Sequence, residues 1–376
     1  MRHLVSLFIL LLFIWLIWSY SGRNMPLAEA NAHISVVQEI NPSDSLERNV
    51  IGIQPYMEVS DYFSQVKFKE KLRLYLIEAD QKEFLSSKTI VLFPEYIGTW
   101  LVLLGEKHGI AKKETMKDAL TTMIFSNFFD FSLAFLKTSR EDDRAASAIF
   151  RMKSKSMANT YYLTFSELAK ESNIHIAAGS IILPDPTVVD GIIYVNPKGP
   201  LYNAAFVFGP DGKVIGDPIL KAFPIESEIP FLTAGIPGEI STFDLPFAKT
   251  SLLVSSDSWY PDAYQSARNQ QAELILVPSF STGDGAMDIL WKGYSGNPEP
   301  AGTDKNDIDK LTEREAWEKY ALPGQIQKTR AQAGLNVFLR GNLWDLGADG
   351  QPMAIFQNKL LQLTPADSAG IWSLNF

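Results

Sequence analysis

The sequence predicts an α/β fold carried behind one apolar N-terminal helix, and three observations predict it. From Thr250 to Phe280 the chain reads TSLLVSSDSWYPDAYQSARNQQAELILVPSF. An apolar run ends in small polar residues, Pro261 stands at the first turn of a helix, and a second apolar run closes the segment. That order is strand, tight turn, helix, strand. Such a turn holds a side chain at the carboxyl end of a buried strand and aims the positive end of a helix at the same point. A nucleophile or an anion belongs there. The second observation is Leu4 to Tyr20, an almost unbroken run of Leu, Ile, Phe and Trp. The third is that helical patterning over Asp61–Ser87 gives way at once to a short apolar strand, Thr89–Phe93.

The chain has 376 residues and a formal net charge of −9. That length fits two or three domains of ordinary size or one large mixed sandwich. An acidic balance without a basic, aromatic-interleaved stripe argues against nucleic acid. The composition contains no Cys, so the fold forms no disulfide and rests on its core. His3, His33, His108 and His175 are scattered, with no metal-ligand spacing. Neither a Gly-x-Ser-x-Gly elbow nor a Gly-rich phosphate loop is present. No metal and no cofactor are expected.

The run from Leu4 to Tyr20 is slightly short of the roughly 20 residues that cross a bilayer comfortably, yet longer than a usual signal-peptide core. Arg2 precedes it, and Gly22 and Arg23 follow. Trp15, Trp18 and Tyr20 sit where interfacial aromatics anchor a span, which favours an uncleaved anchor. Ala28 and Ala30 keep a small-residue cleavage site open. The expected organisation is an anchor over 1–22, a linker over 23–32 and a folded domain over 33–376, held at the membrane on the extracytoplasmic side.

Taken in order, His33–Ile40 reads as a first strand, Asp61–Ser87 as a helix and Thr89–Phe93 as a strand ending in Phe93-Pro94-Glu95. Met116–Leu136 is rich in Phe and Met, and is expected to border a site as a lid, to form a greasy surface, or to pack as a buried helix pair. Ile174–Leu183, holding Gly179 and Ser180, reads as a strand. Gly191–Phe208 reads as two strands around a turn, with Asn203 entering the second. Lys221, Pro224, Glu226, Glu228 and Pro230 follow. Asn297–Glu318 reads as a charged surface excursion, Tyr320–Ala333 as a helix, Leu335–Gly341 as a strand and Pro352–Leu363 as a hairpin arm.

These pieces resemble the carbon–nitrogen hydrolase (nitrilase and amidase) superfamily. Its nucleophile segment follows Cys-Tyr-Asp-x-x-x-Pro-Glu, and Asp257, Pro261 and Asp262 keep that spacing with Ser255 at the cysteine position. Phe93-Pro94-Glu95 and the Asn203 to Pro230 segment are the other two motifs, in family order. The resemblance covers His33 to Phe376, with inserts over 108–160 and 297–318. It implies an αββα sandwich with Glu95 as general base, Lys221 as oxyanion stabiliser and Glu228 as supporting acid, Glu226 being a rival. It also implies a small amide or nitrile-like ligand, and it allows a homodimer.

The chemistry departs from the family at one atom. A thiol titrates near 8.5 in model peptides, whereas a serine hydroxyl is far less acidic, and serine hydrolases normally use an imidazole to remove its proton. Two readings follow: a hydrolase homologue working through Ser255 or an activated water, and a pseudoenzyme that binds or scaffolds.

Overall fold

The computed structural model describes residues 2–42, 48–138, 141–239, 242–296 and 298–376. Met1 and Asn297, the first residues of the expected anchor and of the charged insert, lie outside the described residues. In chain order the helices are α1 (Arg2–Tyr20), α2 (Gln65–Gln81), α3 (Met116–Ser126), α4 (Phe128–Lys137), α5 (Arg144–Ser172), α6 (Pro261–Asn269), α7 (Glu313–Tyr320) and α8 (Leu322–Gln325).

Two sheets form the centre. The first runs in spatial order Ile34–Glu39, Ala369–Asn375, Asn49–Gln54, Thr89–Leu92, His175–Pro184, Leu201–Phe208, Ile219–Leu220. The second runs Thr242–Leu245, Ala248–Leu252, Leu274–Ser279, Ala333–Phe338, Met353–Phe356, Lys359–Leu360. Val50, Ile90, Leu92 and Val207 of the first meet Leu252, Leu274, Leu335 and Val337 of the second in one buried cluster. The sheets approach so closely at Gly52 that a Cβ there would stand 2.6 Å from Val337 Cγ1. Phe68 and Leu72 of α2 and Met157, Tyr161 and Phe165 of α5 cover the outer face of the first sheet. Ala263 and Tyr264 of α6 and Leu322 of α8 cover that of the second. The architecture is an αββα sandwich.

Local sequence explains the covering helices. Ser64 caps α2 by accepting the Lys67 N–H, and Phe68, Leu72, Tyr75, Leu76 and Ala79 line its buried face at helical spacing. Each large apolar side chain so buried contributes about 1.5–3 kcal/mol. Asp143 caps α5 in the same manner, and Asn173 ends it in a left-handed conformation at φ +50°.

Three expectations need correction. The helix expected over Tyr320–Ala333 begins earlier and is broken. Thr312 and Glu315 form a reciprocal capping box that starts α7, and Pro323 belongs to the first turn of a separate α8. The charged insert expected to be a surface excursion therefore carries a core element. Trp317 of α7 is buried with Trp259, Met287 and Trp291, because its aromatic residues outweigh the surrounding charge. The Met116–Leu136 segment is neither a buried pair nor joined to the expected site. Ala119 and Met123 of α3 are buried, but α4 buries no residue. Among the described residues, the hydrogen bonds and ring contacts of this pair run to α1, to α5 and to the loops at Glu106 and Asp345, none to Glu95, Lys221 or Ser255.

Candidate active site

Glu95, Lys221, Glu228 and Ser255 come together at the edge of the two sheets. Glu95 follows the carboxyl end of strand Thr89–Leu92, which lies parallel to both of its neighbours. The turn is pinned by the Tyr96 N–H on Ser180 Oγ at 2.9 Å and the Gly98 N–H on Ser180 O at 3.0 Å. Gly179 is required there: its φ is +68° and an added Cβ would lie 2.0 Å from Pro94 O. Lys221 directly follows strand Ile219–Leu220, with its N–H on Asn203 O at 2.9 Å. Glu228 closes a turn in which its Oε2 accepts the Ile225 N–H at 2.8 Å.

Ser255 follows strand Ala248–Leu252 of the second sheet, in the turn that leads into α6. Its φ of +50° is unusual for a residue with a side chain, and such strain persists only where the surroundings impose it. Asp257 imposes it. Its carboxylate accepts N–H groups from Ala222 at 3.0 Å, Phe223 at 2.9 Å and Val254 at 3.3 Å. One side chain thereby ties the Lys221 loop to the Ser255 turn. The Ser256 hydroxyl on Phe223 O at 2.6 Å and the Phe223–Tyr260 ring stack at 3.5 Å add to this tie.

The charges converge on Lys221. Its Nζ lies 2.8 Å from Glu95 Oε1 and 2.7 Å from Glu228 Oε2. The Asn203 amide donates to Glu95 Oε1 at 2.9 Å and to Glu228 Oε1 at 3.2 Å, and the Tyr96 hydroxyl donates to Glu228. The Ser255 hydroxyl bears on Glu95 as well, drawing its carboxyl down. Burial and the neighbouring Glu228 push the Glu95 carboxyl up, although Lys221 pulls it down. Burial draws the Lys221 ammonium down, but the two carboxylates outweigh it and hold the pKa above the ordinary lysine value. Burial pushes Asp257 up to about 7, against Lys221 and three backbone N–H groups.

One ammonium between two carboxylates leaves a net negative centre in a poorly solvated setting, so a proton is readily held on Glu95. The arrangement can accept a proton from the Ser255 hydroxyl and can present an ammonium to a developing oxyanion. Solvent reaches little of it: Glu95 is 1% exposed, Lys221 and Glu228 2% each, and Ser255 5%. Glu226, the rival to Glu228, is exposed and stands outside the cluster. Tyr96 and Asn203 are partners that the motif reading did not assign. Their signal was position alone, Tyr96 adjoining Glu95 and Asn203 entering the strand beside Lys221.

Comparison with known proteins gives relatives of one kind. No family model matches the chain. The chain is 30% identical over 156 residues to omega-amidase NIT2 of Mus musculus, covering 37% of this chain and 52% of that protein. It is 26% identical over 207 residues to omega-amidase NIT2 of Bos taurus, covering 52% and 71%. The chain thus spans about half the length of the first of these relatives. An amidase from Nesterenkonia sp. superposes with a TM-score of 0.50 at 13% identity over 93% of each chain. A mutant Nesterenkonia AN1 amidase from the nitrilase superfamily gives 0.51 at 12% identity, over 89% of this chain and 92% of the other. At such identities the structural likeness concerns the fold.

Proposed function

From its fold and its sequence kinship with omega-amidases we propose that the chain is a member of the carbon–nitrogen hydrolase superfamily and acts on a small amide or related carbon–nitrogen compound. Glu95 is the base, Lys221 the oxyanion stabiliser, Glu228 the supporting acid and Ser255 the attacking group. The observation that carries this reading is the Lys221 ammonium held between Glu95 and Glu228, with the Ser255 hydroxyl acting on the same Glu95. Ser255 Oγ attacks the carbonyl carbon as Glu95 takes the hydroxyl proton, and the carbonyl electron pair moves onto the oxygen facing Lys221. Collapse of the adduct breaks the C–N bond, and the proton on Glu95 passes to the leaving nitrogen. Water then hydrolyses the serine ester by the same route. The expected test result is slow release of ammonia from small aliphatic amides, abolished in Ser255→Ala and Glu95→Gln. Equal release from both variants would overturn the assignment.

A second reading is a binding or scaffold protein built on the same site. The near-complete burial of the four side chains and the hydroxyl at the nucleophile position favour it. It predicts amide ligands that raise the melting temperature with no ammonia released.

The same proposal has α1 as a membrane anchor over 1–22, joined by 23–32 to an extracytoplasmic domain over 33–376. Its support is a helix apolar enough to cross a membrane or to serve as a signal sequence. Protease added to intact cells, or to spheroplasts, should digest the domain. Digestion only after lysis would reject that topology.

A further inference from the structure

We propose that the α3–α4 hairpin is a second membrane contact, seated in the lipid beside α1. The proposal rests on the anchor reading of α1 and extends it. α1 is a 19-residue helix whose apolar side chains are almost all exposed, from Leu4 to Tyr20. The hairpin adjoins its carboxyl end. The Trp15 indole N–H donates to Phe125 O at 3.0 Å, the Trp15 and Phe129 rings meet edge to face at 5.2 Å, and the Ser19 hydroxyl donates to Ser126 O at 2.6 Å.

The junction is built, not incidental. Arg23 donates to Ser19 O at 3.0 Å, to Gly105 O at 2.6 Å and to Asn127 Oδ1 at 3.2 Å. Lys107 donates to the Trp18 carbonyl, left open in the last turn of α1, and to Ser21 O just past the helix at 2.6 Å. Beneath them Glu106, fully buried, accepts from Asn127 and pairs with Lys153. The polar groups of the joint are paired among themselves, which leaves the apolar side of the hairpin facing outward.

That side is large and of one character. Phe129, Leu133 and Leu136 follow helical spacing on α4 and are 55%, 55% and 77% exposed, with Phe125 and Phe128 beside them. Exposed apolar area of this kind marks an interaction site rather than ordinary surface. Continuity with α1 identifies the partner as lipid. Trp15 lies five residues before Tyr20, or about 7.5 Å along the helix axis at 1.5 Å per residue. Phe129 shares that level, so when α1 spans the bilayer, Phe129 reaches past the interface. The hairpin suits such a place, because its backbone hydrogen bonds are met within the helices and Lys117 and Lys137 can extend toward headgroups. The one acid of α4, Asp130, lines the cleft shared with Lys153 and Lys198.

The absence of native cysteine allows a direct test on the full chain in lipid nanodiscs. Single-cysteine variants Phe129→Cys, Leu136→Cys, Leu11→Cys on α1 and Lys359→Cys on an exposed strand are labelled with an environment-sensitive dye. Quenching by doxyl-labelled acyl chains is then read. The expected result is a blue shift and loss of most emission at positions 11, 129 and 136, with none at 359. Quenching at 11 without quenching at 129 and 136 would overturn the hairpin contact and leave the anchor standing. No quenching at 11 would reject the anchor itself. Disulfide-linked dimers through Phe129→Cys, together with unquenched dye, would put a second copy of the chain in place of lipid.

Discussion

Asp257 holds the loop of Lys221 without touching Lys221: its Oδ1 accepts the N–H of Phe223 at 2.9 Å and that of Ala222 at 3.0 Å. The same carboxylate accepts the Val254 N–H next to Ser255. Asp257→Ala leaves three buried donors unmet at a cost of about 1–3 kcal/mol for each unsatisfied group. The expected outcome is a large fall in the urea midpoint together with loss of any amide hydrolysis. A variant of unchanged stability would show that the two loops are held by other contacts.

The same residue gives the pH dependence a sign. Burial raises the folded carboxyl from the ordinary 3.8 to about 7, so the folded state binds more protons than the unfolded chain between those values. The stability this group contributes is complete below about pH 3.8, falls as pH rises toward 7, and is flat above. Glu95 is raised as well and acts in the same direction. Urea midpoints measured from pH 4.5 to 8 are expected to decline, with a shallower decline in Asp257→Asn. An identical slope in the variant would remove Asp257 as the cause.

Lys221 neutralises two buried carboxylates, so removing it alone is costly. Lys221→Met is expected to destabilise by about 3–5 kcal/mol, because Glu95 and Glu228 are left facing each other unpaired. Lys221→Met combined with Glu228→Gln removes one of those charges and is expected to recover part of the loss. Thermal melts of the two single variants and the double variant form the cycle that measures this coupling. Strict additivity would mean that the three groups do not act as one network.

The parts of the fold legible in the sequence are those specified by short local patterns. Phe93-Pro94-Glu95 and the Pro261 turn announce themselves because a strand end and a helix start need particular residues nearby. α5 did not announce itself. Its buried face mixes Ser147, Ser154, Thr160 and Thr164 with Ala, Met and Tyr, which weakens the apolar periodicity that signals a helix. Strands Asn49–Gln54 and Ala369–Asn375 escaped for another reason. They pair across the length of the chain and carry buried polar ends, with the Asn49 amide on Ser373 Oγ at 2.9 Å. Pairing between distant segments leaves no local trace. The charged residues of the second insert likewise concealed Trp317, whose burial depends on Trp259 and Phe338.

Trp317 accordingly becomes a test of the aromatic layer beside Ser255. Trp259 is near-neighbour in sequence to Ser255 and packs with Trp291, Tyr294, Trp317 and Tyr320. Trp317→Ala should cost about 3–5 kcal/mol through the cavity it opens. In a Ser255→Cys background it should also speed alkylation of the thiol by loosening the cover. A destabilised protein with unchanged thiol accessibility would make this layer a structural core with no part in guarding the site.

The remaining prediction concerns Ser255 itself and follows from the difference between a hydroxyl and a thiol in the same surroundings. Glu95 shares the buried cluster with Ser255 and its carboxyl is pushed up by burial, which suits proton removal from a thiol far better than from an alcohol. Ser255→Cys supplies an ionisable nucleophile for the cost of one larger atom. We expect Ser255→Cys to react with iodoacetamide faster than Lys359→Cys despite its burial, and Glu95→Gln in the same chain to remove most of that advantage. Alkylation located by peptide mass mapping, at matched stability, is the measurement. Ammonia release from small amides should then exceed that of the native chain, because a thiolate attacks readily where the hydroxyl must first lose its proton to a weak base. A folded Ser255→Cys protein that reacts no faster than the surface control would mean that Glu95 and Lys221 do not activate residue 255. The serine site would then be one that binds without turnover.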